Sequence, residues 1–388
     1  MNAIGNKHKP VGLTLKRIFD NTDKKIVDIL ANVDVSRSFV ERLFKGKESQ
    51  FDMVLAISKF LDFDIRTLIE QYCEEIEMPK NFLYVLEFCD RSNQLDLVEL
   101  LIGRSESKTL PELKELRLLY QISLQRKRDG RKENLERMLL AVKEIESTSP
   151  ISQTYQKFVE IQLYYELKEY AIVRRKLNEI HIERIEDTFF YESFRWRLNQ
   201  VEQSIALRFH ADFKRSRELA FELLEMSDSN YFHAFAYGNL GLSHAFTNNK
   251  ELALRYLNKS QQLYSKTGMS NSVWDETIEF FKVLWGHTIE LEDIKSSKNL
   301  ALRLIKIGKN YQSLKIIDKI EEIDGETPMG LYLKGLALDD ESYHWRSLEL
   351  YIRERGDKLF ALLPKSELIR LNQNQYGVNA LCNILSKQ

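Results

Sequence analysis

Only six prolines and fifteen glycines punctuate this chain of 388 residues. That scarcity excludes a sandwich or barrel, whose many tight turns draw on both residues. Cysteine is as rare: Cys73, Cys89 and Cys382 lie far apart and form no CxxC pair. A disulfide framework and a cysteine-rich zinc site are thereby excluded, and a reducing cytoplasm is the expected compartment. No run of about 18 apolar residues exists for a membrane span. The opening MNAIGNKHKPVGL lacks the apolar core of a signal peptide. Neither sign of charge dominates. With a formal net charge of −1, the chain as a whole is no general polyanion binder.

Catalytic motifs are missing too. The chain has no Walker loop, no GxGxxG after a strand, no GxSxG and no HExxH. Its seven histidines show no metal-ligand spacing; His233 and His244 stand 11 residues apart, which does not make one short ligand face. Carboxylates are plentiful, but on helices most serve salt-bridged outer faces. No catalytic residue, metal or cofactor is expected, and the protein is not read as an enzyme.

What is present is helix-forming sequence. Apolar residues make 43% and charged residues 30% of the chain, enough for a soluble, folded protein with more than one core. Long stretches of Leu, Glu, Lys, Arg and Ala predict an all-α fold. The first 75 residues divide into five short helices: LTLKRIFDN, DKKIVDILANV, SRSFVERLFKG, QFDMVLAISKFL and DIRTLIEQYCEEI. Asp23 is the expected N-cap of the second, and Ser36 opens the third, which stops at Gly46. Ile26, Val27, Ile29 and Leu30 should bury one face of the second helix, and Val35, Phe39, Val40, Leu43 and Phe44 one face of the third. The short link ANVDV suits the steep crossing of a helix-turn-helix.

Charge is unevenly placed along this segment. Residues 1–50 hold ten Lys/Arg against six Asp/Glu, and residues 51–76 hold two against six. In a helix-turn-helix the second helix enters the major groove with its amino end at the bases. Arg37, Ser38 and Arg42 lie opposite the apolar face, where arginine and serine meet base edges, and Ser36 joins them as a DNA-binding candidate at the amino end. Lys45 and Lys47 would reach phosphates. The competing reading is a helical bundle that only packs on the solenoid behind it. DVSRSFVERLFKGK followed by MVLAISKFLDFDIRTLIEQY also resembles the Cro/repressor type of helix-turn-helix, with Asp34 in place of the usual glycine before Val35. Two further basic runs, QRKRDGRK at 125–132 and FKRSRE at 213–218, read as solvated segments or as a second contact to DNA backbone.

After residue 76 the sequence repeats helix pairs of roughly 35–40 residues. In YGNLGLSHAFTNNKELALRYLNKSQQLYSKTG, Tyr237, Leu240, Gly241, His244, Ala253 and Leu257 fall at tetratricopeptide offsets. LYLKGLALDDESYHWRSLELYIRER repeats the idea with Gly335, Leu338, Ser347 and Tyr351, and its WRSLELYIRER half reads as one helix. The expected organisation is a helix-turn-helix domain over 1–75 and a degenerate tetratricopeptide-like α-solenoid over 76–388. Such stacks hold extended peptides on an inner wall.

This build is similar to that of Gram-positive cytosolic receptors that read short signalling peptides. AYGNLGLSHAFTNNKELA and LYLKGLALDDESYHWRSLELYIRERGDKLFALLPKSEL resemble the arbitrium receptors of temperate phages. The resemblance implies a homodimeric, DNA-binding activator of a transcript that opposes lysogeny, switched off when a six-residue signalling peptide binds its solenoid. It implies that Asp357 pairs with an arginine of that peptide and that inner-helix asparagines clamp the peptide backbone. Asn199 and Asn239 are candidates by helical placement, and Phe280 is a candidate apolar wall residue or a plain core residue. Asp357, following Gly356, could equally cap the next helix. Val378, Leu381, Cys382 and Leu385 form a terminal apolar stripe, expected at the dimer interface or packed on the preceding helix. A host quorum-sensing receptor controlling other genes, or a repeat protein that captures a response regulator without touching DNA, are the competing functions.

Overall fold

The computed structural model describes residues 10–129, 131–267, 272–372 and 377–379. Among the described residues every regular element is helical, as the composition predicts. The chain forms two compact units. One runs to Val159 and takes in His181–Phe194; the other comprises Glu160–Ile180 and the chain from Arg195 onward.

The first unit begins with five helices: α1 (Val11–Asp20), α2 (Ile26–Asn32), α3 (Arg37–Leu43), α4 (Phe51–Phe60) and α5 (Ile65–Glu75). Ser36 caps α3, its hydroxyl accepting from the Phe39 amide at 3.2 Å. The cap of α2 differs from expectation. Lys25, not Asp23, holds that position, and the Asp28 carboxylate reaches back to the Lys25 amide at 2.6 Å. A helix of seven residues also has room for one buried stripe only. Ile29 fills it, and Val27, expected inside, is 61% exposed.

The start of α1 packs against the carboxyl end of α3. A Cβ at Gly12 would stand 1.9 Å from the Leu43 carbonyl oxygen, so only glycine permits the contact. The compact unit does not stop at residue 75. Glu48 accepts from the Met78 amide at 3.0 Å and from Asn81 Nδ2 at 2.8 Å, and Asn81 Oδ1 accepts from the Phe51 amide at 3.3 Å. These bonds satisfy orphan donors at the start of the helix Pro79–Arg91 and tie it to α4. Farther on, Glu87 and Asp90 are buried but satisfied, accepting from the hydroxyls of Tyr120 at 2.6 Å and Tyr155 at 3.0 Å.

The second unit is built from antiparallel helix pairs. Asn230–Phe246 packs on Lys250–Lys266, and a Cβ at Gly241 would meet Leu257 Cγ at 2.6 Å. Pro328–Leu338 packs on Glu341–Glu349 in the same manner, and a Cβ at Gly335 would stand 2.6 Å from the buried His344 ring. Both glycines predicted from the repeat pattern are thus close-approach positions. The helix read through WRSLELYIRER changes character instead of continuing. At Leu350–Glu354 it widens into a π turn, and Gly356 then takes a positive φ of 65°. Backbone bonds come directly after it: the Lys358 amide donates to the Arg208 carbonyl at 2.8 Å, and the Asp357 amide to that of Tyr351 at 2.8 Å.

Candidate functional site

On α3 and its two flanks the six residues predicted to face DNA are all exposed, while Phe39, Val40 and Leu43 are buried. Arg37 keeps 70% of its side chain in solvent and pairs with Glu41 one turn on, at 3.0 Å. Such an exposed pair is weak and easily exchanged for a stronger partner. Ser36 and Ser38 share a hydrogen bond of 3.0 Å, and the Arg42 guanidinium stands 5.7 Å from the Phe39 ring centre. Lys45 and Lys47 flank Gly46, whose positive φ of 74° turns the chain away after the helix. The sequence pattern and the geometry describe one basic, water-facing edge.

In the second unit, Asn199 and Asn239 are each 5% exposed and belong to helices Thr188–Arg208 and Asn230–Phe246. Gln203 brings them into one group. Its Oε1 accepts from Asn239 Nδ2 at 2.8 Å, and it lies one helical turn beyond Asn199. The group is unfinished: Asn199 Oδ1 and Gln203 Nε2 are buried with no hydrogen-bond partner among the described residues. A buried acceptor and a buried donor left open cost about 1–3 kcal/mol each. They match the donor and acceptor of a peptide unit. Gln203 was not singled out from the sequence, though its spacing of four from Asn199 on a helix was a usable signal.

Asp357 stands apart from these amides. It is 5% exposed: Oδ1 accepts from the Phe360 amide at 3.2 Å, in the turn ahead of helix Leu362–Asn372 rather than as the cap of that helix, and Oδ2 takes an arginine at 2.9 Å. That arginine is the chain's own Arg208. It lies five residues past Gln203, roughly 8 Å along and about 140° around the helix. The Phe360 ring lies 5.3 Å from its guanidinium. Lys168 has its ammonium pushed down to about 8, by burial first and then by Arg208 and Arg355, with Asp357 acting in the opposite sense.

A family model described as AimR transcriptional regulator-like matches residues 65–370. This chain belongs to that family. The AimR transcriptional regulator of Bacillus phage phi3T is 23% identical over 226 residues, or 56% of this chain. The match spans 59% of that relative's length. Among solved structures, phAimR with ligand superposes with a TM-score of 0.72 at 19% identity, covering 84% of this chain and 98% of the other. Selenomethionine phAimR gives 0.66 at 18% identity, covering 97% and 100%. At such identities the likeness is one of fold, an all-α, solenoid-like arrangement. The AimR-like family is one of transcription regulators, not of enzymes.

Two further expectations for an AimR-like chain meet the structure differently. Phe280 is 7% exposed and belongs to the core, its ring 5.2 Å from that of Phe281, so the plain packing role applies. Val378 is 2% exposed and packs in its own chain with Leu348, Tyr351, Ile352, Ala361 and Leu368. A valine already covered has no apolar surface left to offer a partner. Leu381, Cys382 and Leu385 lie outside the described residues. Among the described residues no helix is long and apolar enough to cross a membrane, and no cluster of His, Cys, Asp and Glu could hold a metal.

Proposed function

We propose that this protein is a DNA-binding regulator of the phage lysis–lysogeny decision, switched off by a short signalling peptide. It activates a transcript that opposes lysogeny until the peptide binds the second unit. The observation that carries the reading is the open pair Asn199 Oδ1 and Gln203 Nε2, buried and complementary to a peptide backbone. An extended peptide of six residues spans roughly 20 Å, against the roughly 8 Å of helix rise from Gln203 to the Arg208 that holds Asp357. In this reading Asp357 exchanges Arg208 for the peptide's arginine.

What supports DNA contact is the exposed, basic edge at α3, with Arg37, Ser38 and Arg42 toward bases, Lys45 and Lys47 toward phosphates, and Ser36 at the same amino end. Residues 1–75 form the DNA-reading part and residues 76–388 the peptide-sensing and dimerising part. The regulator works as a homodimer on a two-fold operator, in the cytoplasm of the bacterial host.

The test begins with the short reading frame beside the gene. Its encoded peptide, made synthetically, should release the full-length protein from its operator in a gel-shift titration. Asn199→Ala should weaken the peptide about tenfold or more while leaving operator affinity unchanged. Release at the same peptide concentration in that variant would remove the amide group from the reading.

A further inference from the structure

α3 carries one carboxylate, Glu41, and it stands on the water-facing edge among hydroxyls and cations. The side chain is 48% exposed, and its one polar partner among the described residues is Arg37, whose Nε donates to Oε1 at 3.0 Å. Oε2 accepts no hydrogen bond there. Two carboxylates close by in sequence are already committed to the fold. Asp28 holds the Lys25 amide at 2.6 Å, and Glu48 holds the Met78 amide at 3.0 Å and Asn81 Nδ2 at 2.8 Å. Glu41 has no such structural duty.

Its place on the helix is specific. Glu41 lies four residues past Arg37, about 6 Å along the axis and about 40° around it. Side chains on a helix lean toward its amino end, so Glu41 is aimed at the end that meets the bases. Successive bases on a strand are about 3.4 Å apart, which puts the carboxylate one or two steps from the base that Arg37 reads. Once a guanine takes the Arg37 fork, Glu41 is left without a counter-charge in front of a polyanion. That cost is offset only where a base presents a hydrogen-bond donor. In the major groove the donors are the amino groups of cytosine and adenine, while guanine and thymine present acceptors that repel a carboxylate. Adenine also sets its N7 acceptor beside the amino group, against the second carboxylate oxygen; cytosine has no acceptor there.

We infer that Glu41 is a specificity-determining residue, accepting from the N4 amino group of a cytosine one or two base steps from the guanine taken by Arg37. The inference rests on the reading of α3 as the helix that enters the major groove. It adds selection by exclusion to that reading. The carboxylate weakens binding to DNA in general, and the cytosine contact restores it at the right site. One side chain thus widens the gap between specific and non-specific binding from both directions.

The test selects duplexes from a randomised pool with the full-length protein, by gel shift and sequencing, and then titrates single-base variants of the selected duplex. Wild type should enrich a cytosine within two steps of a guanine, and lose about tenfold in affinity when guanine or thymine replaces that cytosine. Glu41→Gln should transfer the preference to adenine, whose N6 and N7 suit an amide. Glu41→Ala should show no preference at that position and bind random duplex more tightly than wild type, since a repelling charge has gone. Both variants break only an exposed pair, so their melting temperatures should stay close to that of wild type. Glu70→Gln breaks the like-spaced Arg66–Glu70 pair of 3.1 Å on α5 and should leave the selected sequence unchanged. The same cytosine enriched by wild type and both Glu41 variants overturns the inference. So does a fall in the affinity of Glu41→Ala on every duplex alike, which would make Glu41 a brace for Arg37. A wild type that enriches no sequence strikes the reading of α3 itself, and this inference with it.

Discussion

Arg208 Nη1 donates to Asp357 Oδ2 at 2.9 Å, across 149 residues of sequence, with 22% and 8% of the two side chains exposed. The pair closes the end of a helix onto the segment after the π turn. It also occupies the oxygen that an incoming arginine would need. Asp357→Asn keeps the bond from the Phe360 amide but leaves Arg208 half-buried without a counter-charge. It should cost about 1–3 kcal/mol of stability, read from the melting transition. Arg208→Gln separates the roles by sign. If a peptide arginine replaces Arg208, this variant should bind peptide about tenfold more tightly, since the internal competitor is gone. Unchanged or weaker binding by calorimetry would make Asp357 a structural residue only.

The edge of α3 carries the second prediction. Arg37 spends its guanidinium on Glu41, an exposed contact that a guanine would replace. Arg37→Ala should cost about 1–3 kcal/mol at the cognate operator and little on random DNA. Lys47→Ala should weaken all sequences alike and flatten the dependence on salt by about one unit. Gel shifts at several salt concentrations distinguish the two, and equal operator affinity of a folded Arg37→Ala, Arg42→Ala protein would exclude α3 as the reading helix.

Gly12 offers a stability test of the same region. A methyl group there collides with the Leu43 carbonyl, which belongs to backbone and has little room to give. Gly12→Ala should destabilise by about 1–3 kcal/mol, although alanine favours helix in isolation. Operator binding should fall in parallel, because α1 holds the end of α3. A Gly103→Ala control, where an added Cβ meets nothing within 4 Å, should be neutral or slightly stabilising.

A fourth prediction concerns pH. Glu75 accepts from the Val11 amide at 3.0 Å, and burial pushes its carboxyl up to about 7, Glu48 adding to the rise. The folded state therefore binds this proton more firmly than the unfolded chain, in which the group titrates near 4.5. The stability it supplies is complete below about 4.5 and is lost as pH rises through about 7. Relative to Glu75→Gln, the wild-type melting temperature should drop between pH 5 and pH 8. A flat difference across that range would contradict the shift.

The α3 edge was legible from sequence because every signal for it is local: a capping serine, a helical apolar period and a glycine stop. The close-packed glycines of the helix pairs were legible for the same reason. Asn199 and Asn239 could be placed on helices, yet Gln203, which joins them, carries no motif of its own. The Arg208–Asp357 pair is of another kind, since no periodicity links residues that only the packed unit brings together. The apolar run Leu350, Tyr351 and Ile352 also continues a helical pattern without a break. Nothing in it announces that the hydrogen bonding widens there. Asp23 and Val27 failed as expectations because α2 is short and begins two residues later than its polar start suggests.

The wide turn at Leu350–Glu354 gives the chain's length a role of its own. A π turn accommodates one residue more than an α turn. Deleting a single residue there would let the helix close normally, swinging the chain beyond it by about 100° and drawing it back by about 1.5 Å. Asp357 and Lys358 would leave Arg208 together, with neither of them replaced. Among relatives, a one-residue gap in this stretch would therefore mark chains that have lost the Arg208–Asp357 pair, even where both residues are still written in the sequence.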